Sequence, residues 1–328
     1  MPWNYLTLVL VLLLVGALLA AAAVRVMAIV LLRPARMTDG RAAWRLKRLS
    51  PGDLQLHYAD VSFQVLDEFT GRKIKLTAWW IPCPTADGRC AILLHGYGDA
   101  KVGAIAWAPT LHDLGYNILA LDLRAHGESE GRYCTAGYYE RHDVSRVIDQ
   151  LKQDKPADTR RIVLFGVSLG AAVAAATAVL RDDVAAVVLE CPFPDYELAA
   201  VSHAEILGAP GGRLQRWAFQ RAQQIARADF TAVRPVDLIP NIPSPLMVIR
   251  SDADIFIDDA HAAMVEAATR SRPDSLGPTV YWNAENAHHV AALYEDPELY
   301  QERIGAFLET ALAWSPPVTT EVPSQESS

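Results

Sequence analysis

Gly166-Val167-Ser168-Leu169-Gly170 is the segment of this chain best equipped for chemistry. It fits G-x-S-x-G, and its surroundings give the match its meaning. An apolar strand, Arg161 to Phe165, runs straight into it, and an Ala-rich helix, Leu169 to Leu180, runs straight out. That is the context of a nucleophile elbow, a tight strand-to-helix turn that lifts a serine hydroxyl above a sheet. Glycines two residues either side are needed because side chains there would collide in so sharp a turn. The serine also sits at a helix N-terminus, whose dipole favours developing negative charge. With 19 Gly and 14 Ser in 328 residues, the pattern arises by chance roughly 0.05 times, before the strand and helix are required. The plain alternative is an ordinary Gly-rich strand–helix turn.

A lone serine is a weak nucleophile, so it needs a base, an orienting acid and an oxyanion hole. The chain order for an elbow serine is Ser, acid, His. After the last apolar strand, Thr279 to Trp282, comes Asn286-Ala287-His288-His289, which offers two histidines. After the preceding strand comes Ser251-Asp252-Ala253-Asp254, with Asp258 and Asp259 behind it. Asp254 is the preferred acid and Asp252 its rival, while Asp258 and Asp259 suit the cap of a helix starting near Ala260. The oxyanion hole needs two backbone N–H groups. Leu169, next to the serine, supplies one, and the Gly-rich turn His95-Gly96-Tyr97-Gly98 supplies the other from Tyr97. His95 falls too early in the chain order for a base and reads as a brace of that turn.

These stretches, with Leu121-Asp122-Leu123-Arg124-Ala125-His126-Gly127-Glu128-Ser129-Glu130-Gly131 and His289 to Tyr300, resemble the α/β-hydrolase superfamily, in its membrane-anchored serine hydrolase branch with a small cap. The likeness runs from about Leu54 to Leu312. It implies that Asp122, Arg124 and His126 belong to a structural loop beside the pocket. It also chooses between the histidines. The family places its base eight residues before the proline of a D-P-E-x-Y-like segment, and Asp296-Pro297-Glu298-Leu299-Tyr300 selects His289. Where the family often has His-Gly after the strand preceding the acid, this chain has Arg250-Ser251. Relatives with an aspartate nucleophile, the dehalogenases and epoxide hydrolases, are disfavoured by Ser168.

The elements that must position these residues follow from periodicity. Val61 to Leu66 and Lys73 to Ile81 read as strands, the second alternating cleanly. Short apolar strands then alternate with helical stretches: strands at Cys90–Leu94, Asn117–Leu123, Arg161–Phe165, Val184–Leu189, Leu246–Ile249 and Thr279–Trp282, and helices over Ile105–Leu114, Tyr138–Gln153, Leu169–Leu180, Ala260–Thr269 and Pro297–Trp314. The alternation predicts an α/β fold, a mostly parallel central sheet with helices on both faces. About fifty residues between Pro194 and Pro245 break it, with a helical stretch over Leu214–Ala228. An insertion there (about 195–244) reads as a small helical cap over the sheet edge where ligands bind.

The chain is 51% hydrophobic and 21% charged, with a formal net charge of −8. That argues against long disorder and against a nucleic-acid partner. Its 4 cysteines show no metal spacing and read as free thiols. Much of the apolar excess lies in Tyr5 to Val24, a charge-free run whose length, about 30 Å, matches a bilayer core. Basic residues are absent before it and frequent after it (Arg33, Arg36, Arg41, Arg45, Lys47, Arg48). The positive-inside rule then expects a single-pass protein of the cell membrane with its catalytic domain in the cytoplasm. A cleaved signal peptide is the alternative. The expected organisation is an anchor over 1–33, a basic linker over 34–53, a hydrolase domain over 54–314 and a disordered tail over 315–328. The expected activity is a serine hydrolase acting on a small-molecule or lipid-like acyl ester or thioester through Ser168, His289 and Asp254, with no metal or organic cofactor. The alternatives are a peptidase or amidase on the same scaffold, or a silent binding module. Oligomeric state is not readable.

Overall fold

The computed structural model describes residues 2–206, 208 and 212–315, and the expected tail lies outside them from residue 316 on. The strands are β1 (Ala59–Asp67), β2 (Arg72–Ile81), β3 (Arg89–Leu94), β4 (Asn117–Leu121), β5 (Arg161–Val167), β6 (Val184–Glu190), β7 (Leu246–Ser251) and β8 (Thr279–Ala284). They form one eight-stranded sheet in the order β1-β2-β4-β3-β5-β6-β7-β8. β1 and β2 are a hairpin, β2 meets β4 antiparallel, and every pairing from β4 to β8 is parallel. Alternate residues of the central strands feed two cores. Ile92, Leu94, Leu164 and Leu189 face the helices Glu140–Asp154 and Leu169–Ala178; Leu93, Phe165 and Val188 face Trp107, Tyr300 and Ile304. Both faces are thus covered, as near-continuous apolar strands require.

The chain leaves β3 for β4 on one side and returns to β5 on the other. This reversal opens a crevice between the carboxyl ends of β3 and β5, the place where open α/β sheets bind ligands. The G-x-S-x-G turn follows β5 and the His95–Gly98 turn follows β3.

The structure differs from the sequence reading in several places. The helix expected over Ile105–Leu114 is broken into Lys101–Ala104, a 3₁₀ turn at Ile105–Trp107 and Ala108–Asp113; Pro109 sits in the first turn of the last piece, where its missing N–H costs nothing. Between β6 and β7 the helix Arg213–Ala226 is joined by a second, Tyr196–Ile206. At the front, the helix Pro2–Leu32 extends past the Tyr5–Val24 run and through Arg25.

That N-terminal helix has two different halves. From Asn4 to Leu19 it is exposed, with Leu13 at 65%. Towards its end, Ala28 and Leu32 are fully buried in the main core cluster beside Phe219 and Ala222 of Arg213–Ala226. The Leu32 carbonyl accepts the Cys134 N–H at 2.9 Å. The Tyr97 hydroxyl donates to the Val30 carbonyl at 2.8 Å, and the Tyr97 and Tyr196 hydroxyls each reach the Leu31 carbonyl at 3.2 Å. These are the orphan carbonyls of a helix end, satisfied by two phenols and one backbone N–H. The stretch after it, expected as a linker, is laid on the body of the sheet domain. Pro34 and Ala42 are buried; Arg36 donates to the Gly127 and Ser129 carbonyls at 2.7 Å, and Arg48 to those of Val102 and Gly103 at 3.1 Å.

Two truncations therefore separate. Removing residues 1–18 takes away turns that are exposed throughout Asn4–Leu18 and should leave the thermal midpoint of the remaining domain unchanged. Removing residues 1–33 empties the Leu32 site, which costs about 2–5 kcal/mol, and should lower the midpoint by at least about 5 °C. Equal midpoints would show that the helix end is not part of the fold.

Candidate active site

Ser168 occupies the first position before the helix Leu169–Ala178 with φ 52° and ψ −114°. A non-glycine residue rarely holds a positive φ, and such strain persists only where neighbours over-determine it. The neighbours here are backbone. A Cβ on Gly166 would lie 2.1 Å from the Gly170 carbonyl oxygen, and one on Gly170 would lie 2.0 Å from that of Leu94. The Ser168 N–H is held by the Glu190 carbonyl at 2.8 Å. The turn after β3 closes over it, so that a Cβ on Gly96 would stand 3.6 Å from Ser168 Cβ.

Ser168, His289 and Asp254, far apart in the sequence, lie in one hydrogen-bonded row. His289 Nε2 is 3.0 Å from Ser168 Oγ, and its Nδ1 is 2.5 Å from Asp254 Oδ2. The Asp254 side chain is 2% exposed. Its other oxygen accepts the N–H groups of Phe256 at 2.8 Å and Ile257 at 3.0 Å. The acid loop is tied to the histidine loop by backbone: Asp252 N–H donates to Ala284 and Ala253 N–H to Ala287. His288 is exposed, its Nδ1 lying 3.2 Å from the Ala253 carbonyl and away from the serine. Asp252 is exposed, and Asp258 caps Asp259–Arg270 through the His261 N–H at 2.9 Å. Asp259 pairs with Arg250.

Neither the Tyr97 nor the Leu169 N–H is used by a protein acceptor among the described residues. His95 accepts the Leu123 N–H on Nε2 at 3.0 Å, so its Nδ1 carries the proton and donates to the Gly96 carbonyl at 2.8 Å. It thereby braces the Tyr97 turn against the end of β4. Asp122, fully buried, accepts the Lys101 N–H at 2.7 Å, the Lys101 ammonium at 2.8 Å and the Glu128 N–H at 3.0 Å. Arg124 forks onto Asp143 and also meets Asp67 at 2.9 Å. A buried charge is tolerable only when paired this fully. From the cap, His203 stacks on Phe256 with centroids 4.3 Å apart, and Phe256 in turn stands edge-on to His289 at 5.2 Å.

Two features escaped the sequence. Cys191 Sγ lies with the ligand atoms of Asp254 and His289 within 4.8 Å of one another, and burial pushes its thiol well up. Both ring nitrogens of His289 are already engaged, so this donor set fits the hydrogen-bonded row better than a metal. Glu190, fully buried at the end of β6, accepts the Tyr300 hydroxyl at 2.6 Å and the Trp107 indole N–H at 3.1 Å, while its Oε1 has no partner. A charge closing an otherwise apolar strand was the signal available for it.

Comparisons with known proteins bear on the fold as a whole. Residues 87–235 match the family model of the serine aminopeptidases, S33. The Bacillus subtilis protein YqkD is 26% identical over 285 residues, 80% of this chain and 88% of its own. The Pyrococcus furiosus esterase Pf2001 superposes with a TM-score of 0.65 at 26% identity, covering 84% of this chain and 98% of the esterase. The chain belongs to the α/β-hydrolase superfamily. Within it, the matches are to esterase- and peptidase-like hydrolases. An acylaminoacyl peptidase from Pyrococcus horikoshii shares the fold alone, with a TM-score of 0.57 at 15% identity over 82% of this chain and 44% of the peptidase.

Glu190 gives this hydrolase a pH signature. Burial raises its carboxyl from 4.5 to about 7, against the lowering effect of the Tyr300 and Trp107 hydrogen bonds. The folded state therefore keeps a proton that the unfolded chain has released. Stability is lost as pH rises from the unfolded value through the folded one, by about 3 kcal/mol in total. Glu190→Gln, neutral at every pH, should fall less in thermal midpoint between pH 5 and 8 than the wild type. Parallel curves would remove Glu190 from the account.

Proposed function

We propose that the protein is a serine hydrolase that cleaves acyl esters or thioesters through an acyl-enzyme. The row Asp254–His289–Ser168 at a strained strand-to-helix turn carries this reading. In the tautomer the row favours, Nδ1–H of His289 donates to Asp254 and Nε2 accepts the Ser168 hydroxyl proton. Ser168 Oγ attacks the acyl carbon while its proton passes to Nε2, and Asp254 steadies the resulting imidazolium. The free N–H groups of Tyr97 and Leu169 are the donors for the tetrahedral oxyanion. The protonated His289 returns its proton to the leaving group. Water, deprotonated by the same nitrogen, then releases the acid and frees Ser168. No step calls on a metal or an organic cofactor.

The membrane reading belongs to the same proposal. The helix Asn4–Leu32 is long and apolar enough to cross a membrane, and the basic residues after it orient the hydrolase body to the cytoplasm. The docking of Ala28 and Leu32 into the core argues for retention of this helix over cleavage as a signal sequence. An acyl substrate delivered from the bilayer suits this arrangement. The serine aminopeptidase model supports amide cleavage as the second reading, and turnover of matched p-nitrophenyl esters and p-nitroanilides separates the two.

Ser168→Ala should abolish fluorophosphonate labelling and ester turnover with an unchanged thermal midpoint. His289→Ala should lose at least about 10³-fold in kcat, whereas His288→Ala keeps activity within a few-fold. Full activity in His289→Ala would refute the assignment of the base.

A further inference from the structure

A second cleft is lined in part by Ala125 and Gly131, on either side of the turn His126–Glu130. It encloses about 570 Å³ and is walled by Arg33, Arg36, Arg72, Lys73 and Arg132, with Asp67 at its base. The five cations come from three separate parts of the chain: the stretch after the N-terminal helix, the start of β2 and the loop after β4. None of the five forms an ion pair among the described residues. The one carboxylate in the wall does not neutralise them. Asp67 is buried, and its oxygens accept from Arg124 at 2.9 Å, the Thr70 hydroxyl at 2.6 Å and the Phe69 N–H at 3.2 Å.

Three of the guanidiniums are held in place. Arg33 and Arg132 both lie on the ring of Tyr133, 5.4 and 5.3 Å from its centroid. Arg36 is fixed by its Nη1, which donates to the carbonyls of His126, Gly127 and Ser129. Like charges converging on one concavity repel unless an anion joins them. Planar guanidiniums held in fixed orientations match the oxygens of a phosphate group. The volume lies within the range of ligand sites.

We propose that this cleft binds a phosphate-bearing anion. Two sources share the chemistry: the headgroup of an anionic phospholipid, which Arg33 would meet directly as the apolar helix ends at Leu32, and a free phosphate compound. The inference rests on the cleft alone and does not depend on the chemistry proposed for Ser168.

The test uses the full-length protein in neutral detergent, titrated calorimetrically with inorganic phosphate, dioctanoyl phosphatidylglycerol and dioctanoyl phosphatidylcholine. At least one phosphate-bearing anion should bind more tightly than the zwitterion, and more weakly as salt rises from about 0.01 to 0.15 M. Binding of phosphatidylglycerol alone assigns the site to a lipid headgroup; comparable binding of inorganic phosphate assigns it to the free anion. The paired Arg72→Glu and Lys73→Glu substitutions, on exposed side chains without hydrogen bonds, should weaken binding at least about tenfold. Arg132→Gln should weaken it independently. A thermal midpoint and far-UV circular dichroism unchanged from wild type show that these variants are folded. The proposal is overturned if neither anion binds better than phosphatidylcholine, or if the variants bind as the wild type does.

Discussion

The absence of clearance at two glycines governs this molecule. Gly166 and Gly170 let β5 turn into the helix Leu169–Ala178 with backbone touching backbone, where any Cβ would overlap a carbonyl. That contact holds Ser168 at a positive φ and leaves its hydroxyl above the sheet edge. Everything else near the site takes position from it. The Glu190 carbonyl holds the serine N–H, and the Gly96 turn closes over the serine from β3. The loops after β7 and β8 are cross-tied so that Asp254 and His289 arrive together. Strain of this kind is sustainable because the sheet beneath is buried on both faces.

The same turn links the site to the front of the chain. Tyr97 follows Gly96, which closes over Ser168, and gives its phenol to the end of the N-terminal helix. Tyr196, at the start of the cap, reaches the same Leu31 carbonyl. The N-terminal helix, the insertion between β6 and β7 and the site turn are thus joined through a few carbonyls at one helix end. A membrane-spanning helix would in this way fix how the mouth of the site sits against the bilayer, which an unstructured linker could not do.

Much of this was legible in the sequence because the physics is local. A serine between spaced glycines, after an apolar strand and before an Ala-rich helix, has few other structural meanings, and the strand–helix alternation leaves one fold class. Other parts depend on distant groups. His288 and His289 are adjacent and chemically alike, so the residues alone left both open; the resemblance through Asp296-Pro297 favoured His289, and it is the His289 ring that faces Ser168. Asp254 differs from Asp252 in receiving two backbone N–H groups. Glu190 owes its character to Trp107 and Tyr300, each about a hundred residues away. The docked end of the N-terminal helix was hidden because an apolar run serves equally for a bilayer and for a core. The stretch after it read as a linker because its buried contacts are made by isolated residues without period.

The central claim is that Ser168 Oγ is the atom that takes the acyl group. Its most direct test is peptide mapping by mass spectrometry of the full-length protein after reaction with a fluorophosphonate, or after rapid acid quenching during ester turnover. The account predicts a single adduct on the peptide carrying Gly166 to Gly170, located on Ser168 and absent when His289 is replaced by alanine. An adduct on any other residue, or turnover without one, would contradict it.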